Sequence, residues 1–401
     1  MDISLNEFRN AAQRIKPFLH HTELSSNATF SEMTGGEIFL KCENTQKTGS
    51  FKIRGAGNKI ACMMERGEMN PVVASSAGNH AQGVACAAQK FGIPATIVMP
   101  KAAPIVKVQA TEGYGAKVVL YGDCYDDAYA EACRICEEEG AVFLHPYNDP
   151  EVIAGQGTLG LEILGDLPDV DIVITPAGGG GLLAGVASAV RQVNPRIKVY
   201  GVQAEGADAI ARSFKAKKLL TTDTASTIAD GIAVKCPGDI TVDIINRYVE
   251  DVVTVNDIQI ADAILQLMER SKLIVEPAGA TPLAAVLSGK IDVKDKKVVC
   301  VMSGGNIDVS FIQSIIELGL FSRHRRVTFT VKLLDRPGSL VRMLNISADA
   351  GANILKVDHN KLTAGLNPNE TTVQVACEVG GKAHADSLLE RLRSSGYSVE
   401  I

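Results

Sequence analysis

A run of four glycines, Gly178, Gly179, Gly180 and Gly181, follows the apolar segment DIVITPA and precedes a helical pattern that opens at Leu182. Glycine adopts positive φ without a steric penalty and lets backbone N–H groups come close to an anion. The N-terminus of the following helix adds partial positive charge. We therefore predict a phosphate-binding loop made of backbone. A P-loop is excluded because no Gly-Lys-Ser/Thr follows, and a merely flexible turn would leave the entropic cost of four glycines unexplained.

Lys52 is the second candidate, in the segment ENTQKTGSFKIRGAG. The residues Thr48, Gly49 and Ser50 indicate a helix start just before Phe51 and Lys52, with Ser50 as the N-cap. An amine in a first helical turn faces the positive end of the helix dipole, which lowers its pKa and suits Schiff-base chemistry. From position alone, a solvated surface lysine is the alternative.

Two further segments place hydroxyls, amides and glycines at predicted strand ends. They are VVASSAGNHAQG, around Asn79, and VVCVMSGGNID, around Ser303. In parallel sheets, ligands bind at the carboxyl ends of the strands, so both segments are candidate site loops. Serine and asparagine also cap turns and helices, so each segment taken alone has a structural alternative.

The elements that would position these residues alternate between short apolar runs and helical patterns from residue 37 to 319. Runs such as ATIVMP and KVYGVQA are typical of parallel strands buried on both faces. Helical patterns between them end at Gly92 and Gly140. The sequence predicts an α/β fold with two parallel sheets.

The pattern changes after the basic connector at residues 318–326. The order of predicted elements from there is strand, helix, strand, strand, helix, strand, which is the ferredoxin-like arrangement. We expect residues 327–401 to form a separate small domain without catalytic residues.

Composition narrows the classes of function. The 401 residues carry 40 basic and 46 acidic side chains, a net charge of −6 that argues against nucleic acid as a partner.

No apolar run reaches the roughly 20 residues of a membrane span, and the N-terminus lacks the features of a secretory signal. Nine scattered cysteines are typical of thiols in a reducing cytoplasm. Cys133 and Cys136 form one CxxC in a helical pattern without a second pair, so no metal site is predicted.

Four motifs together resemble one family closely: SFKIRGA, SAGNHAQG, PAGGGGL and SGGNID, in this order. The chain resembles the fold type II pyridoxal-phosphate enzymes, and among them the threonine dehydratases (threonine ammonia-lyases). The resemblance covers residues 1–320, which it implies to be a catalytic domain of two parallel-sheet α/β subdomains, the smaller at about residues 45–145.

The resemblance also implies roles for individual residues. Lys52 would hold pyridoxal 5'-phosphate covalently, with Phe51 packed beside its ring. Asn79 would bond the ring hydroxyl, and Ser303 would face the pyridine nitrogen. The phosphate would be held by Gly178, Gly179, Gly180, Gly181 and Leu182, and the substrate carboxylate by Ser76, Ala77, Gly78, Asn79 and His80.

Three other residues lie in stretches that resemble family segments lining the cofactor, each with a structural alternative. Asp230 in ADGIAV is either a site residue or a turn residue. Glu276 in VEPAGATP is either a site residue or a helix-start acid favoured by the dipole. His80 either orients the cofactor loop or is a hydrogen-bonded structural histidine.

The expected reaction is the conversion of L-threonine to 2-oxobutanoate and ammonia, with L-serine as a secondary substrate. A hydroxyl such as that of Ser303 does not force a proton onto the pyridine nitrogen, which favours β-elimination over transamination and racemisation. Serine racemases of this fold carry a serine where this chain has Ala77. They also bind a cation through acids where this chain has Gln203 and Ala209, with Glu205 and Asp208 nearby; racemase activity and a cation are therefore not expected.

Two alternatives remain open at this point. The first is the dehydration of another 3-hydroxy amino acid, such as 3-hydroxyaspartate, which a cationic residue at the site would favour. The second is a catalytically weak, amino-acid-sensing regulator. The intact set of Lys52, Asn79, Ser303 and the glycine run argues against the second.

The tail, with DRPGSL at residues 335–340, resembles an ACT domain, a ferredoxin-like module that often binds amino-acid effectors. The resemblance implies an effector site around Asp335, Gly338, Ser339 and Asn353, with isoleucine or valine as the expected effector of a biosynthetic enzyme and a different one for a catabolic enzyme. Paired tails would favour a homodimer or homotetramer. The expected location is the cytoplasm.

Overall fold

The computed structural model describes residues 2–361 and 366–401. It divides into two compact units, Met1–Asp308 and Val309–Ile401, whereas the sequence placed the boundary near residue 320. Among the described residues, no helix is long and apolar enough to cross a membrane.

The first unit contains two sheets. Its strands are β1 (Leu24–Ser26), β2 (Glu37–Lys41), β3 (Val72–Ser75), β4 (Ala95–Met99), β5 (Lys117–Leu120), β6 (Val142–Phe143), β7 (Ile172–Pro176), β8 (Lys198–Ala204), β9 (Asp251–Val255) and β10 (Lys297–Val301). The larger sheet has the order β1-β2-β10-β7-β8-β9 and is parallel except for the antiparallel pair β1 and β2. The smaller sheet has the order β5-β4-β3-β6 and is parallel throughout.

Helices connect these strands and cover the sheets. They are α1 (Leu5–Ile15), α2 (Ala28–Thr34), α3 (Lys52–Glu65), α4 (Asn79–Phe91), α5 (Ile105–Glu112), α6 (Tyr125–Glu139), α7 (Pro150–Asp166), α8 (Gly181–Val193), α9 (Ala209–Ala216), α10 (Asp239–Tyr248), α11 (Asp257–Gln266) and α12 (Pro277–Leu287). A short 3₁₀ turn spans Asp230–Ile232. The α/β class with two parallel sheets is confirmed.

The sequence pattern accounts for the central strands and for several helix ends. Every residue of β4 and β7 is buried, because helices cover both faces of these strands. Gly92 and Gly140 end α4 and α6 in the left-handed conformation, with φ of 69° and 62°, as predicted. The strands β1 and β9 were not predicted. β1 has three residues and no buried one, and β9 is only partly buried, so neither has a continuous apolar run.

A buried ion-pair network fixes the first turns of α3. Arg54 is fully buried and donates to both carboxylate oxygens of Glu43 at 2.7 and 2.8 Å. Two further N–H groups donate to Glu162, on α7, at 2.7 and 2.9 Å. Burial alone would raise the pKa of Glu43, but the charge and hydrogen bonds of Arg54 and a bond from Thr22 lower it. The network therefore ties α3 to α7 and to the segment after β2.

We expect Arg54→Met to lower the free energy of unfolding by about 3–5 kcal/mol, because it leaves Glu43 buried without its cation. Urea unfolding followed by circular dichroism measures this loss. Arg212→Met is the matched control: Arg212 pairs with Asp208 on the surface, so its loss should leave the free energy of unfolding nearly unchanged. Equally small losses of unfolding free energy in Arg54→Met and Arg212→Met would contradict the assignment of Arg54 as the cation that compensates buried Glu43. Because the pKa of Glu43 is lowered in the folded state, its contribution is present at neutral pH and is lost as pH falls through that pKa.

The second unit contains α13 (Val309–Ser322), β11 (Arg326–Leu334), α14 (Ser339–Asp349), β12 (Asn353–Asn360), β13 (Glu370–Glu378), α15 (Lys382–Ser394) and β14 (Val399–Glu400). From β11 onward the order is βαββαβ, and the antiparallel sheet has the strand order β12-β13-β11-β14. This is the predicted ferredoxin-like arrangement. Its core lies between the sheet and two helices and includes Phe329, Val375 and Leu388.

Candidate active site

Lys52 is the first residue of α3 and so lies in the first turn of a helix, as the sequence predicted. The capping residue, however, is Phe51, and the prediction that Ser50 is the N-cap was wrong: Ser50 forms an isolated antiparallel bridge with Gly304, which holds its backbone away from the capping position. The Lys52 ammonium donates to the carbonyl oxygen of Pro146 at 3.0 Å and lies 5.3 Å from the centre of the Phe51 ring.

Burial lowers the pKa of Lys52 to about 8, and the charge of Glu276 partly offsets this by raising it. Removing an ammonium from water disfavours its charged form. The neutral amine, which is the form that acts as nucleophile or base, is thus far more populated near neutral pH than in an ordinary lysine. The alternative of a solvated surface lysine does not fit this environment.

The four glycines form the turn between β7 and α8. Gly180 is the N-cap of α8 and has φ of 96°, a conformation that favours glycine. The helix begins at Gly181, one residue before the Leu182 predicted from sequence. The Leu182 side chain is buried in the apolar core, so this residue can offer only its backbone to a ligand at the loop.

Packing around the loop explains why it contains glycines only. A Cβ at Gly179 would lie 2.4 Å from ring carbons of Tyr147, and one at Gly180 would lie 2.7 Å from the Thr241 hydroxyl. That hydroxyl donates to the Gly179 carbonyl at 2.7 Å. Any larger residue would therefore push the loop away from its supports.

Tyr147 and Thr241 were missed by the sequence analysis. Tyr147 follows the end of β6, and its hydroxyl donates to the carbonyl of Cys236 at 2.9 Å. The sequence did offer a signal for Tyr147, because the segment HPYNDP comes at the end of a predicted strand, as the other candidate site segments do. Thr241 lies within α10, where no local pattern distinguishes it.

Asn79 is the first residue of α4, directly after the loop that follows β3. Its side-chain nitrogen donates to the two carboxylate oxygens of Glu276, both at 2.9 Å. Its amide oxygen is buried and has no hydrogen-bond partner among the described residues. In the same loop the Ser76 hydroxyl accepts a bond from the Gly78 N–H at 3.2 Å, and Ala77 packs against the core of the smaller subdomain.

Ser303 and Gly304 follow the end of β10 and contact the segment that leads into α3. The N–H of Phe51 donates to the carbonyl of Ser303 at 3.0 Å. Ser303 is buried, with 2% of its surface exposed. The segment after β10 therefore meets the start of α3, and a Cβ at Gly304 would lie 3.1 Å from the side-chain nitrogen of Asn79, in the first residue of α4.

His80 has the environment of a structural histidine. Its Nε2 donates to the carbonyl of Leu144 at 2.8 Å. Burial and the positive charge of Lys52 lower its pKa to about 3, so the ring is neutral. Its neighbour His145 is also neutral, because burial and Lys52 lower its pKa to about 4, and its Nδ1 accepts a bond from the Asn148 N–H at 2.9 Å.

Glu276 and Asp230 differ in exposure. Glu276 is buried, with 5% of its surface exposed. Its pKa is raised to about 7, mainly by burial and also by the charge of Asp230. Asp230 is exposed and pairs with Lys107, on α5, at 3.6 Å.

In the segment that the sequence analysis compared with a racemase cation site, two side chains have partners within the protein. The Gln203 side chain accepts a bond from the Ala211 N–H at 2.8 Å, and Asp208 pairs with Arg212 at 2.7 Å. Within residues 2–361 and 366–401, no group of three His, Cys, Asp or Glu side chains could hold a metal ion.

Pyridoxal phosphate, which the sequence resemblance implies, fits this arrangement. The glycine loop offers backbone N–H groups at a helix N-terminus, where a phosphate binds well. Within the described part of the chain, the Asn79 amide oxygen and the Thr175 hydroxyl are buried polar groups without partners. Such groups are rare in proteins unless a ligand or water meets them. Lys52 supplies an amine, on a partly buried side chain, with a lowered pKa.

Comparisons with known proteins agree with this chemistry. Residues 15–304 match the family model described as "Pyridoxal-phosphate dependent enzyme". The chain is 50% identical, over 399 residues, to the L-threonine ammonia-lyase of Thermotoga maritima, with 100% of this chain and 99% of the relative covered. It superposes on the processed form of threonine deaminase isoform 2 from Solanum lycopersicum with a TM-score of 0.75 and 33% identity, covering 80% and 90% of the two chains. It also superposes on maize serine racemase with a TM-score of 0.75 and 38% identity, covering 81% and 100%.

Proposed function

This chain belongs to the family of pyridoxal-phosphate dependent enzymes, and we propose that it is an L-threonine ammonia-lyase. It would convert L-threonine to 2-oxobutanoate and ammonia, with L-serine as a secondary substrate. The full-length likeness to a threonine ammonia-lyase, at 50% identity, supports this choice within the family.

One structural observation carries the proposal. Pro146 accepts the hydrogen bond of the Lys52 ammonium, and the next residue, Tyr147, packs against Gly179 of the glycine loop. A single backbone segment thus contacts both the reactive amine and the loop suited to a phosphate. This proximity supports a covalent attachment point and a phosphate site close enough to be used by one pyridoxal phosphate.

In the proposed mechanism, pyridoxal phosphate, when bound, supplies an aldehyde that takes up amino groups and a conjugated ring that accepts the electrons of the Cα–H bond. The glycine loop would bind the phosphate, and Asn79 and Ser303 would orient the ring. The Lys52 amine, with its lowered pKa, removes the Cα proton of the substrate. The β-hydroxyl leaves as water, and addition of water to the resulting imine releases ammonia, so that threonine yields one 2-oxobutanoate and one ammonia.

Two observations favour the dehydration of threonine over racemisation and over the dehydration of 3-hydroxyaspartate. Ala77 has no ionisable proton, so the loop before α4 lacks the serine that racemases of this fold use as a second acid. Lys107, a cation close enough to Glu276 to influence its pKa, is already paired with Asp230. Its charge is thereby compensated, and a second substrate carboxylate, as in 3-hydroxyaspartate, would gain little from it.

The proposal is tested by incubating the purified holoenzyme separately with L-threonine, L-serine and 3-hydroxyaspartate. Oxo acid and ammonia are measured in each reaction. We expect kcat/KM to be highest for L-threonine, with 2-oxobutanoate and ammonia formed in equal amounts. A higher kcat/KM for 3-hydroxyaspartate, or formation of D-allo-threonine by inversion at Cα faster than ammonia release, would contradict the proposal.

For the second unit, we propose an ACT-type regulatory role in a cytoplasmic homodimer or homotetramer. The βαββαβ order supports this role, as does the turn before α14, where Gly338 has φ of 84° and Asp335 pairs with Lys361 at 2.7 Å. The effector is an amino acid bound around Asp335, Gly338, Ser339 and Asn353.

We expect L-isoleucine or L-valine to change the rate of threonine turnover by the full-length enzyme. Ser339→Trp should abolish this response, because the bulky ring fills the turn where the effector binds, while turnover without effector stays as in the native chain. Initial rates with and without each amino acid measure the effect. An undiminished response in Ser339→Trp would place the effector elsewhere.

A further inference from the structure

Glu276 lies where three parts of the first unit meet. Its backbone N–H donates to the carbonyl of Gly304 at 3.0 Å, and its carboxylate accepts two bonds from the Asn79 side chain at 2.9 Å. Gly304 in turn forms the bridge with Ser50, two residues before Lys52. Glu276 therefore contacts the strand end after β10 and the first residue of α4, and through Gly304 it adjoins the segment that leads into α3.

Helix capping does not explain a carboxylate at this place. Glu276 is the N-cap residue of α12, yet its side chain accepts no capping bond from the described N–H groups of that helix. The alternative of a helix-start acid therefore has no capping hydrogen bond to support it. A buried carboxylate costs free energy unless other groups compensate for it. No salt bridge of Glu276 occurs among the described residues. We therefore expect this carboxylate to serve the candidate active site that it borders.

The charges around Glu276 are those of the site. Lys52, on α3, is the amine whose pKa Glu276 raises. Asp230, the first residue of the 3₁₀ turn Asp230–Ile232, raises the pKa of Glu276, whereas Lys107, on α5, lowers it. The N–H of Asn306 also donates to the carboxylate. Among these groups, Lys52 is the one with a proposed chemical role.

We propose that Glu276 is a positioning residue with two separable effects: its two oxygens anchor the amide of Asn79, and its carboxylate, when ionised, favours the protonated form of the Lys52 amine. The inference rests on the proposed function only in assigning Lys52 as the base. By accepting hydrogen bonds from the side-chain nitrogen of Asn79, the carboxylate fixes the orientation of an amide that would otherwise rotate. This orientation decides whether the amide oxygen or the amide nitrogen faces the ring of the bound cofactor. The charge stabilises the protonated amine after Lys52 has accepted the substrate proton.

Two conservative variants separate these effects. Glu276→Gln keeps an oxygen that accepts from Asn79 but removes the charge. Glu276→Asp keeps the charge but is one methylene shorter, so it withdraws from Asn79. Glu32→Gln, an exposed carboxylate on α2, is the matched control for the loss of one negative charge in the same unit.

The experiment measures two quantities on each full-length holoenzyme. The first is the dissociation constant for pyridoxal phosphate, from titration of the visible absorbance band. The second is the pH midpoint of the acid limb of kcat, which reports groups in the enzyme–substrate complex. The midpoint of any pH-dependent change in the visible band is recorded alongside it and does not depend on turnover.

We expect Glu276→Gln to lower the acid-limb midpoint by about one pH unit, because loss of an opposite charge lowers the pKa of an amine. Its cofactor affinity should stay within about threefold of the native value. Glu276→Asp should keep the midpoint and weaken cofactor binding about tenfold, the effect of one lost hydrogen bond. The Glu32→Gln control should match the native chain in both quantities.

Two results would overturn the inference. One is an unchanged midpoint in Glu276→Gln. The other is equal weakening of cofactor binding by both variants, which is what a merely structural role predicts. If the native holoenzyme does not turn over threonine, the proposed function fails, but the cofactor affinities and the visible-band midpoint still test the role of Glu276.

Discussion

Lys52→Ala should lower the rate of 2-oxobutanoate formation by about 10³- to 10⁴-fold, because it removes both the covalent attachment point and the general base. The structure gives the reason: the amine is held by the Pro146 carbonyl at 3.0 Å, and burial lowers its pKa. Initial rates with L-threonine measure the loss, and the visible absorbance band of the native holoenzyme should vanish in the variant.

Lys90→Ala is the control for this prediction. Lys90 is an exposed lysine in the last turn of α4, and its removal changes the net charge equally. It should keep the native rate and spectrum. A Lys52→Ala variant that retained more than about a tenth of the native rate would remove Lys52 from the mechanism.

Gly179→Ala should weaken the binding of pyridoxal phosphate by about 10- to 100-fold. The added Cβ would lie 2.4 Å from ring carbons of Tyr147, so either the loop or the ring must move. Overpacking of this kind costs about 1–3 kcal/mol, a range that includes the roughly 1.4–2.8 kcal/mol of a 10- to 100-fold loss in affinity. The loop that moves carries the N–H groups proposed to bind the phosphate, and the loss should therefore appear in the dissociation constant measured by absorbance titration.

Gly165→Ala provides the matched control. Gly165 lies in the last turn of α7, and a Cβ there would meet no described atom within 4 Å. Because alanine is the better helix former, this variant should bind the cofactor normally and be more stable by about 0.5–1 kcal/mol. Equal cofactor affinity in the two variants would show that the glycine loop does not hold the phosphate.

The sequence was sufficient for features that depend on local order. Lys52 at the head of a helix, the glycine turn after β7, and the ends of α4 and α6 all follow from residue type and periodicity over a few positions. The βαββαβ order of the second unit could be predicted for the same reason. Errors of one residue at the start of α3 and α8 arose because a bridge from Ser50 to Gly304 and the positive φ of Gly180 set these boundaries.

Contacts between residues distant in sequence could not be predicted. Glu276 lies 197 positions from the Asn79 that it binds, and Arg54 lies 108 positions from Glu162. Each pairing depends on how helices are brought together by the sheets, and a single sequence carries no local signal for it. The support of the glycine loop by Thr241 belongs to the same class, since one threonine within a helix is unremarkable until the fold places it.

The central claim is that the chain uses pyridoxal phosphate to convert L-threonine to 2-oxobutanoate and ammonia. Its most direct test is an absorbance spectrum of the purified protein with pyridoxal phosphate, recorded before and after addition of L-threonine. Both products are assayed in the same sample. We predict a visible band that is absent in Lys52→Ala, that changes on addition of L-threonine, and that accompanies equal amounts of the two products. A protein that shows no band, or a band that L-threonine leaves unchanged with no 2-oxobutanoate formed, would contradict the account.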